Sequence, residues 1–168
     1  VVINGKLRVY GKGKIILEDG VRINSRFRNN PIGGQVFSSF YSKKDAVIKI
    51  GKETGISNTS IYAAKQVIIG AHTKIGGNVK IYDTDFHSLD YKERADMERD
   101  VSTVCGVEIG DNVFLGAHSI VLKGVKIGDR SIVGAGSVVT KSIPCDEVWG
   151  GNPARFIRKI NSLECDKK

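Results

Sequence analysis

Ile109-Gly110-Asp111-Asn112-Val113-Phe114, Leu115-Gly116-Ala117-His118-Ser119-Ile120, Val121-Leu122-Lys123-Gly124-Val125-Lys126, Ile127-Gly128-Asp129-Arg130-Ser131-Ile132 and Val133-Gly134-Ala135-Gly136-Ser137-Val138 are consecutive hexads of one pattern. An aliphatic residue opens each, and a small or aliphatic one (Val113, Ser119, Val125, Ser131, Ser137) stands four later. The same register holds at Ile69, Ile75 and Ile81, and at Ile50 and Ile56 with a one-residue slip before Ile69. Ile3, Val9, Ile15, Val21 and Phe27 keep the period with fewer glycines. A period of six suits neither a 3.6-residue helix nor an alternating strand. It suits a short strand followed by a sharp corner, with the aliphatic side chain inward. Glycine after the aliphatic is expected because corners need backbone angles that are costly for a Cβ. Three hexads then make one triangular coil of about 18 residues, and coils stack backbone to backbone about 4.8 Å apart. The expected fold is all-β, a parallel β-helix solenoid.

Composition agrees. The 168 residues include 20 glycines, where average usage gives about 12, but only three prolines. That excludes a collagen repeat and argues against a proline-rich disordered chain. The formal net charge is +8, which favours anionic partners. Residues 1–45 hold nine Lys or Arg against three acids, yet no nucleic-acid-binding motif accompanies them, so no nucleic-acid partner is expected. The three cysteines, Cys105, Cys145 and Cys165, form no CxxC pair, and reduced thiols in a cytoplasmic setting are the expectation. No apolar run approaches a membrane span, and no secretory segment is visible. The chain opens on Val1 rather than Met, which leaves a preceding segment open.

Two stretches break the register of what reads as a single domain over residues 1–168. They are about 28–46 and the acid-rich 83–106. Insertions of this length in a compact repeat are usually functional. The repeat ends after Pro144, and Pro153 is placed to open a short helix within a cap over about 152–168. His87 lies where the second insertion leaves the coil, in Ile81-Tyr82-Asp83-Thr84-Asp85-Phe86-His87-Ser88-Leu89-Asp90. Its imidazole titrates near neutrality and suits proton transfer. His72 and His118 occupy the fourth hexad position and read as solvated corner residues, with His118 also able to border a ligand groove. Neither Cys105, at a loop end, nor Cys145 and Cys165, in the tail, has the setting of a nucleophile.

With these residues in hand, the chain resembles the hexapeptide-repeat acyltransferases, whose solenoid is a left-handed β-helix. The resemblance is strongest from about Ile50 to Ile160. Thr84, His87, Leu89 and Asp90 resemble the histidine-bearing stretch of maltose- and galactoside-type O-acetyltransferases, with Ser88 in place of a proline and Thr84 one residue further away. It implies His87 as general base. The run Val133 to Pro144, followed by Gly151-Asn152-Pro153-Ala154-Arg155, is similar to the coenzyme A-using members. By motif position Ala117 and Ala135 would line the pantetheine chain. Thr140 and Lys141 would lie near the nucleotide, and Arg155 and Arg158 would reach phosphate. Phe114 stands where many members carry tryptophan. Asn58 falls about one residue from an acceptor-holding asparagine, and no aspartate matches that family's second acceptor residue. Asp83, Asp85 and Asp90 are candidates to orient His87.

The resemblance further implies acetyl-CoA as co-substrate, a sugar hydroxyl as acceptor, a role in surface polysaccharide (capsule or O-antigen) synthesis, and a homotrimer without resident metal. Three rival readings stand beside it. One is acetylation of an amino sugar or xenobiotic amine, and another is a non-enzymatic solenoid module. The third is a γ-type carbonic anhydrase, whose motif has two histidines five residues apart; here the separations are 15 and 31.

Overall fold

The computed structural model describes residues 1–160; Cys165 and the end of the expected cap lie outside them. Aliphatic residues at every sixth position turn inward, and the strands between corners form three parallel faces. The first coil runs through β1 (Val2–Gly5), β2 (Arg8–Gly11) and β3 (Lys14–Leu17), one strand on each of faces A, B and C. The second is β4 (Arg22–Ser25), β5 (Ser39–Ser42) and β6 (Val47–Ile50); the third is β7 (Gly55–Ser57), β8 (Ser60–Ala63) and β9 (Gln66–Ile69). The fourth is β10 (Lys74–Ile75), β11 (Lys80–Tyr82) and β12 (Val107–Ile109), with the four-residue helix α1 (Tyr91–Arg94) between the last two. The fifth is β13 (Phe114–Leu115), β14 (Ile120–Val121) and β15 (Lys126–Ile127). The sixth holds β16 (Ile132–Val133) and β17 (Val138–Val139), and Ile143 bridges Ile127 on face C.

The register stacks like on like. On face B, Val9, Phe40, Ile61, Ile81, Val121 and Val139 are successive partners. On face C the column is Leu17, Ile50, Ile69, Ile109 and Ile127. Ile23, Ile56, Ile75, Leu115 and Val133 form the column on face A. From the second coil onward these side chains are buried. Buried hydroxyls staple neighbouring coils at the corners: Thr54 donates to the Gly70 carbonyl, Thr73 to Gly110 and Ser119 to Gly134.

The glycine after each inward aliphatic has a different reason from the one expected. Positive φ falls two residues later, for example at His72 (φ 55), Asn78 (φ 60) and Asn112 (φ 57). Except at Gly134, the glycine itself is where consecutive coils touch. A Cβ on Gly70 would sit 2.5 Å from the Gly110 carbonyl carbon, and one on Gly76 2.6 Å from the Ala117 nitrogen.

Both insertions flank face B. The first spans residues 26–38 and follows the A–B corner; it is shorter than the expected 28–46 because β5 already resumes the register, with Phe40 as its inward residue. The second, residues 83–106, leaves the B–C corner between β11 and β12. The expected C-terminal helix is instead strand. β18 (Glu147–Gly151) extends face A, and β19 (Ala154–Lys159) returns antiparallel along it. An extended return pairs the backbone edge that β18 leaves open.

Gly116→Ala is expected to cost about 1–3 kcal/mol by overpacking, since its Cβ would press on the Ala135 nitrogen. Gly55→Ala, whose Cβ would meet only the Lys74 side chain at 3.5 Å, is expected to stay within about 1 kcal/mol. Denaturant unfolding of the two variants checks both values.

Candidate active site

The neck of the second insertion is an antiparallel contact. Thr84 bridges Val104, the Cys105 N–H donates to the Asp83 carbonyl and the Asp85 N–H donates to Thr103. Thr84 is tied to Ser102 through their hydroxyls at 2.9 Å and accepts from the Phe86 N–H. Phe86 takes φ 67 and packs edge-on against Tyr62 and Tyr82. That turn carries the next side chain, His87, out of the coil, and 64% of its surface is exposed.

His87 Nδ1 lies 2.5 Å from Asp100 Oδ2. The other Asp100 oxygen accepts from the Ser88 N–H at 2.7 Å. The His87 hydrogen bond, followed by the Ser88 N–H, holds the Asp100 carboxyl below its ordinary range. The carboxylate fixes the ring through Nδ1, so Nε2 is the nitrogen that faces outward and can take a proton. Asp100 is thus the orienting group. No spacing in the sequence separates it from the other acids of residues 83–106.

The acids proposed for that role do other work. Asp83 is fully buried and accepts from the Ala64, Lys65 and Gln66 N–H groups at 2.6–2.8 Å. Asp85 pairs with Lys123 at 3.3 Å and so anchors the neck to the fifth coil. Asp90 caps α1 by accepting from the Lys92 N–H. Ser88, which stands in place of a proline, accepts from the Asp90 N–H and donates to Glu93. Asn58 is likewise not open to an acceptor. It is buried at φ 47, and its amide donates to the Val36 carbonyl of the first insertion.

The residues expected to meet coenzyme A divide into two groups. Ala117 and Ala135 stack on the A–B corner, where the Gly136 N–H donates to the Ala117 carbonyl. Arg155 stands opposite Gly150 and Arg158 opposite Val148 in the terminal hairpin. That hairpin reaches the same corner, because the Gly151 N–H donates to Ser137 Oγ. Both arginines are exposed and pair with no acid among the described residues. Thr140 and Lys141 fall on the other edge of face B, at the B–C corner from which His87 emerges.

The remaining histidines lie elsewhere. His72 is at the C–A corner beside Glu53, at 3.3 Å. His118, at the A–B corner, is not simply solvated, because Nδ1 faces Asn78 and Nε2 faces the Ile32 carbonyl, each at 3.1 Å. The three imidazoles therefore occupy three different corners. A shallow groove of about 730 Å³ runs along face C past Ile68, Lys126 and Pro144, away from His87.

Residues 106–141 match the family model described as the hexapeptide repeat of succinyl-transferase. A hexapeptide-repeat acetyltransferase from Vibrio cholerae, solved with acetyl coenzyme A, is 35% identical over 68% of this chain and 61% of its own, with a TM-score of 0.63. A maltose O-acetyltransferase from Clostridium difficile is 29% identical over 90% of this chain and 69% of its own, also at 0.63. The mitochondrial gamma carbonic anhydrase 2 of Arabidopsis thaliana is 35% identical over 121 residues, 70% of this chain. The chain spans 38% of that relative's length. The repeat, the matched model and these neighbours together place the chain among the hexapeptide-repeat proteins built as a left-handed parallel β-helix.

Proposed function

We propose that this protein is an acyltransferase that moves an acetyl group from acetyl-CoA to a sugar hydroxyl. The observation that carries the reading is the His87–Asp100 pair, with Nε2 directed outward at the edge of the solenoid. His87 Nε2 takes the acceptor hydroxyl proton as the oxygen attacks the thioester carbonyl. The carbon–sulfur bond breaks, the acetyl group stays on the oxygen, and the imidazolium returns its proton to the departing thiolate. Asp100 keeps the ring in the tautomer that this requires and balances the charge that develops on it. Ala117, Ala135, Arg155 and Arg158 form the wall proposed for the pantetheine and phosphates. Glycine and alanine corners admit a ligand close to the backbone, and the arginines offer paired donors to phosphate. The proposed acceptor is a sugar of a surface polysaccharide or its precursor, acetylated in the cytoplasm.

Within one chain, His87 and the Ala117–Ala135 wall stand on opposite edges of face B. The proposed active unit is therefore a homotrimer in which His87 of one copy faces the wall of the next. Thr140 and Lys141, on the His87 edge, would then meet the acyl-donor nucleotide of a different site from the one lined by Ala135 of the same copy.

The carbonic anhydrase reading asks for zinc held by histidines. Within one chain His72, His87 and His118 leave three different corners, and His118, on the edge that His87 of the next copy would face, has both nitrogens against protein partners. These residues do not fit a shared metal, and no step is derived through one. Acetylation of an amine differs from the sugar reading only in the acceptor, and an amino-sugar arm in the assay separates the two.

The test is thiol release from acetyl-CoA over a panel of sugars and amines. His87→Ala is expected to lower turnover on the best acceptor by about 10²–10⁴-fold; wild-type turnover in that variant would overturn the mechanism. Asp100→Asn is expected to lower kcat by about 10²-fold or more with little change in KM for acetyl-CoA. The low pKa of Asp100 also sets an acid limit. A carboxylate depressed by its native partners stabilises the fold above its unfolded pKa of about 3.9, and that contribution is lost as pH falls through the folded value. Hydrogen-exchange protection of residues 83–106, taken relative to the intrinsic rate at each pH, is expected to fall as pH drops below about 4, and Asp100→Asn to shrink that step, with Asp96, also held low by its partners, keeping a share of it.

A further inference from the structure

The first insertion borders a cavity where it passes the A–B edge of face B. Arg8, Ser39, Ser60 and Lys80 open strands β2, β5, β8 and β11 and are register partners from the first coil to the fourth. Gln35 and Phe37 of the insertion stand beside this row, and the cavity between them measures about 400 Å³. Small-molecule sites fall in the same range, about 300–1,000 Å³. The insertion is tied to the solenoid on either side of Gln35. The Asn58 amide donates to the Val36 carbonyl, and His118 Nε2 faces the Ile32 carbonyl at 3.1 Å.

The cavity is positively charged, and nothing within the chain answers the charge. The Arg8 guanidinium lies 5.4 Å from the centre of the Phe37 ring and pairs with no acid among the described residues. Lys80 is half-buried; its ammonium donates to Asn78 Oδ1 at 2.5 Å and likewise meets no carboxylate there. Burial pushes the Lys80 pKa down, because the cation leaves water without a counter-charge. Residues 26–38 add Arg26 and Arg28 and no acid. Between the two cations the Ser39 hydroxyl donates to Ser60 at 3.2 Å, which leaves the Ser60 O–H to donate onward.

On the proposed trimer this cavity opens into the cleft between copies. A three-fold axis along the solenoid keeps like coils level. His87 leaves after β11, in the fourth coil, so His87 of the next copy arrives level with Lys80. Ala117 and Ala135 follow β13 and β16, in the fifth and sixth coils. The wall proposed for the pantetheine therefore ends one coil from Lys80, and the cavity begins there. The next copy also brings its acid-rich residues 83–106. All of those acids except Glu98 are engaged within their own copy: Asp83, Asp85, Asp90 and Asp100 as described, Glu93 with Ser88 and Asp96 with Arg99. One carboxylate is too little to answer Arg8 and Lys80 together.

We propose that this cavity is the acceptor site and that the acceptor is an acidic sugar. Its carboxylate or phosphate is held by Lys80 and Arg8, its hydroxyls meet Ser60 and Gln35, and one hydroxyl reaches His87 of the next copy. The inference rests on the acetyl-transfer reading for the reaction itself; binding of an anionic sugar in the cavity stands without it.

The test compares kcat/KM for thiol release from acetyl-CoA across matched acceptors. Glucose is set against glucuronate and glucose 1-phosphate, galactose against galacturonate, and N-acetylglucosamine against its UDP-linked form. At least one acidic acceptor is expected to exceed its neutral match by about tenfold or more. The carboxylate and phosphate arms then show which anion the site takes. Arg8→Gln and Lys80→Gln, made singly, are each expected to cut that preference about fivefold or more, through KM for the acceptor and not KM for acetyl-CoA. Lys80→Arg, which keeps the charge, is expected to keep most of the preference. Ligand-observed NMR with the same sugars in the absence of acetyl-CoA reads binding apart from turnover, and sedimentation reads the assembly.

The proposal is overturned if every neutral sugar matches or exceeds its acidic partners, or if both glutamine variants keep the wild-type preference. It is also overturned if either variant dissociates the assembly, since the partner of these cations is then a carboxylate of the next copy and not a ligand. Binding of an acidic sugar that weakens in Arg8→Gln and Lys80→Gln, with thiol release on no acceptor, would defeat the acetyl-transfer reading alone. Thiol release on neutral sugars, with no acidic sugar preferred or bound, would defeat the acidic acceptor alone.

Discussion

The close approach of successive coils governs the rest of the molecule. Each coil contributes one aliphatic side chain per face to columns that run the length of the solenoid, and burial of those columns is its main stabilisation. Coils at strand spacing leave no room for a Cβ where the chain turns past the coil above. Gly70 against Gly110 and Gly76 against Ala117 are instances. A regular core of this kind is indifferent to what leaves its corners. Insertions can therefore grow without disturbing the stack, and the two present here both border face B.

Much of this was legible in the sequence. The hexads of Ile109 to Val138 specify inward positions, corners and a three-faced coil, and the strands follow them. Phe40 hid β5 because an aromatic residue without a following glycine does not resemble the other hexads, although it fills the same inward position. The glycines were located correctly but for the wrong reason, since the strained backbone belongs to Asn78, His72 and their equivalents. The C-terminal strand was missed because Pro153 signals a helix start only where no open sheet edge competes for the backbone.

The site was legible in a narrower sense. His87 stood out through its place at a break in the repeat and through the residues around it. Asp100 did not, because its approach to His87 depends on how residues 83–106 fold back. The nearer acids were drawn into local tasks: Asp83 into a corner of the coil below, Asp90 into a helix cap. Chain proximity selected those acids, whereas the fold selects the one that returns from the far side of the insertion. On the proposed reading, the same folding places the base on one edge of face B and the coenzyme A wall on the other. A linear motif cannot express that separation.

The division of the site between copies is best tested by co-expressing two inactive chains carrying different tags, His87→Ala and Ala135→Trp, and measuring thiol release by the purified mixed assembly. If His87 of one copy works against the wall of its neighbour, each mixed trimer has one of its three sites whole and the purified assembly recovers about a third of wild-type activity, because each site draws its two halves from different chains. Mixed assemblies as inactive as either parent would contradict the shared site, and so would full activity in a monomer.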